Sequence, residues 1–139
     1  MNNSQFWNSL DSIARKEITP ETITDFALTL KKGYEQDLEL IISCIDNPLQ
    51  PGVGYQSYID TEYGRLMLCY TTMTHANKEK RRLPAGDMRN VSTATAKCRS
   101  IIDNMLTKPV IAGLVFNSDT QKPMIVMKDI LQMAMLINE

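Results

Sequence analysis

Two short apolar runs constrain this chain more than anything else in it: Leu66–Tyr70 (LMLCY) and Val110–Phe116 (VIAGLVF). The first reads as a central strand covered on both faces, and the second is the strongest strand signal in the sequence. Each has a hairpin partner. Asp60-Thr61-Glu62-Tyr63-Gly64 forms a turn ahead of the first run, with Gly64 able to take positive φ, and Tyr55–Ile59 is the other arm. Asn117-Ser118-Asp119-Thr120 is a turn cluster after the second run. It leads into a strand over 123–127 that opens with Pro123, where a strand tolerates proline.

The flanking segments carry helical periodicity. Phe6, Trp7, Leu10, Ile13 and Ala14 line one face of a helix over 4–16, with Ser4 as the expected cap. Thr19-Pro20-Glu21 is a strong helix start, followed by the stripe Ile23, Phe26, Ala27 and Leu30. Lys31, Lys32 and a left-handed Gly33 are expected to end it. Residues 38–45 permit strand or helix, and the spacing of Ile41, Ile42 and Ile45 is read as helix to about Ser43. Asn47–Gly52, rich in proline, is a break. Residues 74–91 are polar and read as an irregular loop. Ser92 is expected to cap a helix to Leu106, with the stripe Ala94, Cys98, Ile101, Ile102 and Met105. A last amphipathic helix covers 128–137.

The expected order is α-α-β-β-α-β-β-α. Hairpins dominate, so the fold class is α/β of the α+β type: a mixed or antiparallel sheet of about four to five strands, with helices packed on it and two N-terminal helices. The 139 residues suit one domain, helical over 1–46 and α/β over 55–139. Residues 43% apolar and 22% charged give no ground for general disorder. Cys44, Cys69 and Cys98 are an odd set with no C-x-x-C spacing, as expected of buried thiols in a reducing cytoplasm. No signal peptide or membrane-spanning run is expected.

The net charge of −1 divides into −5 over residues 1–69 and +4 over 70–139, which is no nucleic-acid-binding balance. His75, the only histidine, follows Thr71 and Thr72 beyond the central strand. It could serve as a general base, but no nucleophile stands at a recognised spacing, so no catalytic residue is assigned. One histidine and three scattered cysteines make a poor zinc set, so no metal is expected. Gly52-Val53-Gly54 lacks the third glycine and the following helix of a dinucleotide loop, so no cofactor is expected. The basic cluster Lys78, Lys80, Arg81 and Arg82 suits an acidic protein partner. Met133 and Met135 lie off the main stripe of the last helix, where adaptable methionines suit a docking face. His75, these four cations and these two methionines are the candidate binding residues.

Over residues 55–136 the chain resembles the SseB protein N-terminal domain family. The hairpin Ile59-Asp60-Thr61-Glu62-Tyr63-Gly64 leads into Arg65–Tyr70 and Thr71-Thr72, similar to an apolar strand ending in F-T-S. The strand Gly113-Leu114-Val115-Phe116-Asn117 is similar to a glycine–apolar strand ending in N-P. Tyr70 stands where the pattern has phenylalanine, and Ser118 where it has proline. The resemblance implies an α/β domain without an established catalytic activity, in secretion-associated or toxin-immunity settings. The expected function is a non-enzymatic protein-binding or accessory module of a bacterial cytoplasm, through a protein partner or self-association. The alternatives are a toxin-immunity protein, and a small-molecule or enzymatic domain around His75.

Overall fold

The computed structural model describes residues 1–47, 50–79 and 90–137. Its elements are α1 (Asn3–Ala14), α2 (Pro20–Glu35), β1 (Glu39–Asn47), β2 (Gln50–Tyr55), β3 (Ser57–Asp60), β4 (Gly64–Tyr70), α3 (Met73–Lys78), β5 (Asn90–Lys97), α4 (Cys98–Thr107), β6 (Gly113–Phe116), β7 (Met124–Met127) and α5 (Lys128–Leu136). Among the described residues, no helix is long and apolar enough to cross a membrane.

The seven strands form one mixed sheet, the α+β architecture expected from the hairpin-rich sequence. β1 lies inside it, with β5 antiparallel along one edge. Its other edge is shared. Ile41 and Ile42 face Tyr70 and Cys69 of β4, whereas the far end of β1 pairs with β2. β2 and β3 are separated by one residue, Gln56. Its amide donates to the Ser43 carbonyl at 2.8 Å and its carbonyl accepts from the Leu68 amide at 3.0 Å. The sheet therefore forks at Gln56, into a β1–β2 arm and a β3–β4 arm. β6 runs parallel to β4, and β7 pairs antiparallel with β6 at the far edge.

Alternation along the strands divides the interior in two. Leu40, Ile42, Met67, Cys69, Leu114, Phe116 and Val126 point to the face covered by helices. There they meet Phe6 and Leu10 of α1, Phe26 and Leu30 of α2, Ile101 and Met105 of α4, and Leu131 of α5. Phe26 meets Phe116 edge to face, 4.7 Å between centroids. Ile41, Leu66, Leu68, Tyr70 and Val115 point the other way, with Ala76 of α3 packed on them. The LMLCY run is apolar throughout because both faces of β4 are buried.

Four sequence expectations are corrected. Residues 39–47 are strand, not helix, because Leu40, Ile41 and Ile42 are buried between neighbouring strands on both edges. Residues 90–97 are strand as well. Ser92 caps nothing, and α4 begins only at Cys98, without a side-chain cap. The 74–91 segment opens with the short helix α3 rather than a loop; residues 80–89 lie outside the described part. Asn2, not Ser4, caps α1, in a reciprocal box with Gln5. The strand count is accordingly seven, not four to five.

Gly33 does not close α2. The helix runs on to Glu35, and Asp37 takes the left-handed conformation at φ 57°. Gly33 is a close-approach site instead: a Cβ there would lie 2.3 Å from Cζ of Phe6. Gly33→Ala is therefore expected to destabilise the fold by about 1–3 kcal/mol through overpacking, read as a lower midpoint in urea unfolding. Phe6→Leu should recover part of that loss in the double variant.

The three thiols are free and buried. Burial raises all of them, and Cys98 is pushed up to about 12. A thiol raised in the folded state adds stability that is complete below its unfolded value and is lost as pH climbs from there toward 12. Unfolding free energy should thus fall between pH 8 and pH 10.5. An aromatic disulfide reagent at pH 8 should label Cys69 and Cys98 only as fast as the protein unfolds.

Candidate functional site

α1 crosses one end of the sheet because both its ends are tied down. At its start, Asn3 exchanges hydrogen bonds with the backbone amide and side chain of Glu39, and the Trp7 indole donates to the Glu39 carbonyl at 2.8 Å. Further along, Asp11 is held inside the protein. Its Oδ1 accepts from the Thr71 hydroxyl at 2.7 Å, and its Oδ2 accepts from Arg15 Nε at 2.8 Å.

Thr71 follows β4 and is fully buried. Its partner across the parallel pair is Asn117, which follows β6. The Asn117 side-chain carbonyl accepts from the Thr71 amide at 3.0 Å, and its NH₂ donates to Thr71 Oγ1 at 2.9 Å. Asn117 sits at φ 62°, a left-handed conformation that asparagine tolerates better than most residues. Its own amide continues the ladder to the Cys69 carbonyl. One asparagine thus ends β6, starts the following turn and grips the end of β4.

His75 is carried by α3. The Thr72 hydroxyl accepts from the His75 amide and so caps this helix. The imidazole Nδ1 lies 2.9 Å from Asp119 Oδ2, and Nε2 lies 3.8 Å from Asp11 Oδ1. The Asp119 side chain is 4% exposed, and its Oδ1 is buried with no hydrogen-bond partner in the described structure. A carboxylate oxygen accepts, so the contact with Asp119 is a hydrogen bond when Nδ1 carries a proton, and Nε2 faces Asp11 across the longer gap.

His75 borders a cleft of about 360 Å³ lined also by Asp11, Ala14, Arg15, Asn117, Thr120, Gln121, Lys122 and Met124. Thr71 Oγ reaches this centre through Asp11. It is buried and already bonded on two sides, so it is no accessible nucleophile. Among the described residues, no group of three or more histidine, cysteine or acidic side chains could hold a metal ion.

Of the expected binding residues that the structure describes, His75 alone lines the cleft. Lys78 is an exposed residue in the last turn of α3. Lys80, Arg81 and Arg82 lie outside the described residues. On α5, Met133 is 66% exposed, whereas Met135 packs against the core. Sequence reading placed Thr71 and Thr72 near His75 and missed Asp11, Asp119 and Asn117. Asp11 left a trace, since it stands four residues after Trp7, where an apolar side chain would extend the helix stripe. Asn117 and Asp119 read only as turn residues.

A second concavity, about 400 Å³, runs beside β7. It is lined by Ile18, Pro20 and Ile23 from the start of α2, by Tyr63, and by Pro123, Ile125, Met127 and Ile130. Ile18 and Tyr63 are more than a third exposed. Antiparallel pairing alternates between bonded and outward-facing positions. The Lys128 amide bonds the Ala112 carbonyl, so the phase leaves the backbone groups of Ile125 and Met127 facing away from β6, toward this groove.

Thr71→Val should cost about 1–3 kcal/mol, because it leaves Asp11 and Asn117 buried with unmet hydrogen bonds. Asp11→Asn combined with Thr71→Val should be less than additive in denaturant unfolding, since the two side chains share one bond. No protein-family model, no curated protein and no solved structure matches the chain.

Proposed function

We propose that this chain is a non-enzymatic binding module that takes an extended segment of a protein partner in the groove beside β7. The observation that carries this reading is the coincidence of an apolar trough with a strand edge that no other strand among the described residues pairs with. A strand laid along β7 would meet the outward backbone groups of Ile125 and Met127, while its alternate side chains rest on Ile23 and Tyr63. The resemblance to the SseB N-terminal domain supports a role in protein contact, and a cytoplasmic immunity protein that occludes a toxin falls within the same reading. β7 is also short and follows Pro123, features that guard an edge against indiscriminate pairing. The partner should therefore be specific.

Ile18→Glu and Tyr63→Glu test this. Both residues are exposed, so stability should change by no more than about 0.5 kcal/mol. Solution mass and co-purification from the native cells should reveal a stoichiometric protein partner or a dimer, lost in both variants. An assembly that survives both substitutions, or a chain that stays monomeric and alone, would refute the proposal.

A second reading, a small-molecule site at His75, is favoured by one observation: the only histidine is neither flat on the surface nor sealed in the core, but sits on the wall of a polar cleft.

A further inference from the structure

We infer that the cleft between α1 and the β6–β7 turn binds a small organic carboxylate, held between Arg15 and Lys122. This rests on the small-molecule reading of the His75 cleft and names its ligand class. The charges lining the cleft do not cancel. Arg15 and Lys122 are cations, and Asp11 is the one lining carboxylate. Both Asp11 oxygens are already engaged, by Thr71 and by Arg15 Nε. The other carboxylate nearby, Asp119, is turned to the far side of the imidazole and does not line the cleft.

The two cations retain donors. Arg15 uses only Nε toward Asp11, so among the described residues its two terminal nitrogens have no partner, and its side chain is 77% exposed. A planar guanidinium with both ends free matches the two oxygens of a carboxylate. Lys122 makes no hydrogen bond or ion pair among the described residues. Arg15 is also aimed: its Nε is fixed by Asp11, Asp11 by Thr71, and Thr71 by Asn117. That chain of bonds reduces the freedom a ligand would otherwise have to freeze.

The remaining surfaces describe the rest of the ligand. Ala14 and Met124 offer an apolar wall for a short aliphatic body. The volume of about 360 Å³ is at the small end of ligand sites. The carboxylate could belong to a free short-chain acid or to the C-terminus of a peptide, since both present the same group.

The test titrates the intact protein with 4-methylpentanoate, N-acetyl-leucine and leucinamide, followed by ¹H–¹⁵N shifts and calorimetry. Leucinamide keeps the aliphatic body and lacks the carboxylate. The inference expects 4-methylpentanoate or N-acetyl-leucine to shift the amides of Arg15, Gln121 and Lys122, with leucinamide silent. Binding of N-acetyl-leucine alone identifies a peptide C-terminus, whereas binding of 4-methylpentanoate alone or of both identifies small free acids. Lys122→Met and Arg15→Gln should each weaken the bound acid about tenfold, the loss of one charge-assisted contact. Lys122 makes no hydrogen bond or ion pair among the described residues, so its variant should keep the wild-type melting temperature and remain a clean test if Arg15→Gln loosens α1. Leucinamide binding as strongly as the acids, with the same amides shifted, would overturn the carboxylate assignment and leave a small-molecule site at His75 standing. No shift with any of the three at millimolar concentration would overturn both.

Discussion

The hydroxyl of Thr71 holds the most consequential position in this fold. It donates to Asp11 of α1, accepts from Asn117 after β6, and sits at the end of β4 with no contact to solvent. Three parts of the chain far apart in sequence meet at that oxygen. Without it, α1 would keep its tie to Glu39 but lose its register over the far end of the sheet, and the parallel β4–β6 pair would end without its side-chain clamp.

Buried carboxylates are expensive unless they are well bonded. Asp11 and Asp119 stand side by side with an imidazole between them, and Asp119 keeps an unpartnered oxygen. Apolar packing would serve stability better at such a place. Instead a polar node stands beside the cleft, with both histidine nitrogens facing carboxylates. The apolar groove at β7 differs in kind. Its lining is mostly apolar, with Thr24 and Tyr63 as the polar side chains among the described residues.

What the sequence disclosed, and what it hid, follows from the range of each signal. The turn at Gly64, the helix start at Thr19-Pro20-Glu21, the LMLCY strand and the last helix are local features, and all are present; the Val110–Phe116 run is strand only from Gly113, with Val110 exposed. Residues 38–43 and 92–97 read as helix because local spacing permits it. Pairing makes them strands: the eight-pair β1–β5 ladder joins segments some fifty residues apart, and β1 pairs on its other edge with β4 and β2. The candidate site was half legible for the same reason. His75 and Thr71 are neighbours in sequence, whereas Asp11, Asn117 and Asp119 arrive from α1 and from a distant turn.

The fork at Gln56 has a consequence for how the gene can vary. One residue serves as the last rung for β1 and the first for β4, and its side chain bonds Ser43. Because side chains alternate every residue, adding or deleting a codon on either side would turn one arm over, carrying Tyr58 away from the apolar layer it packs against. The turn after Asp60 can absorb length changes that this junction cannot. Insertions and deletions between Gln56 and Leu68 therefore fit that turn and not the junction itself.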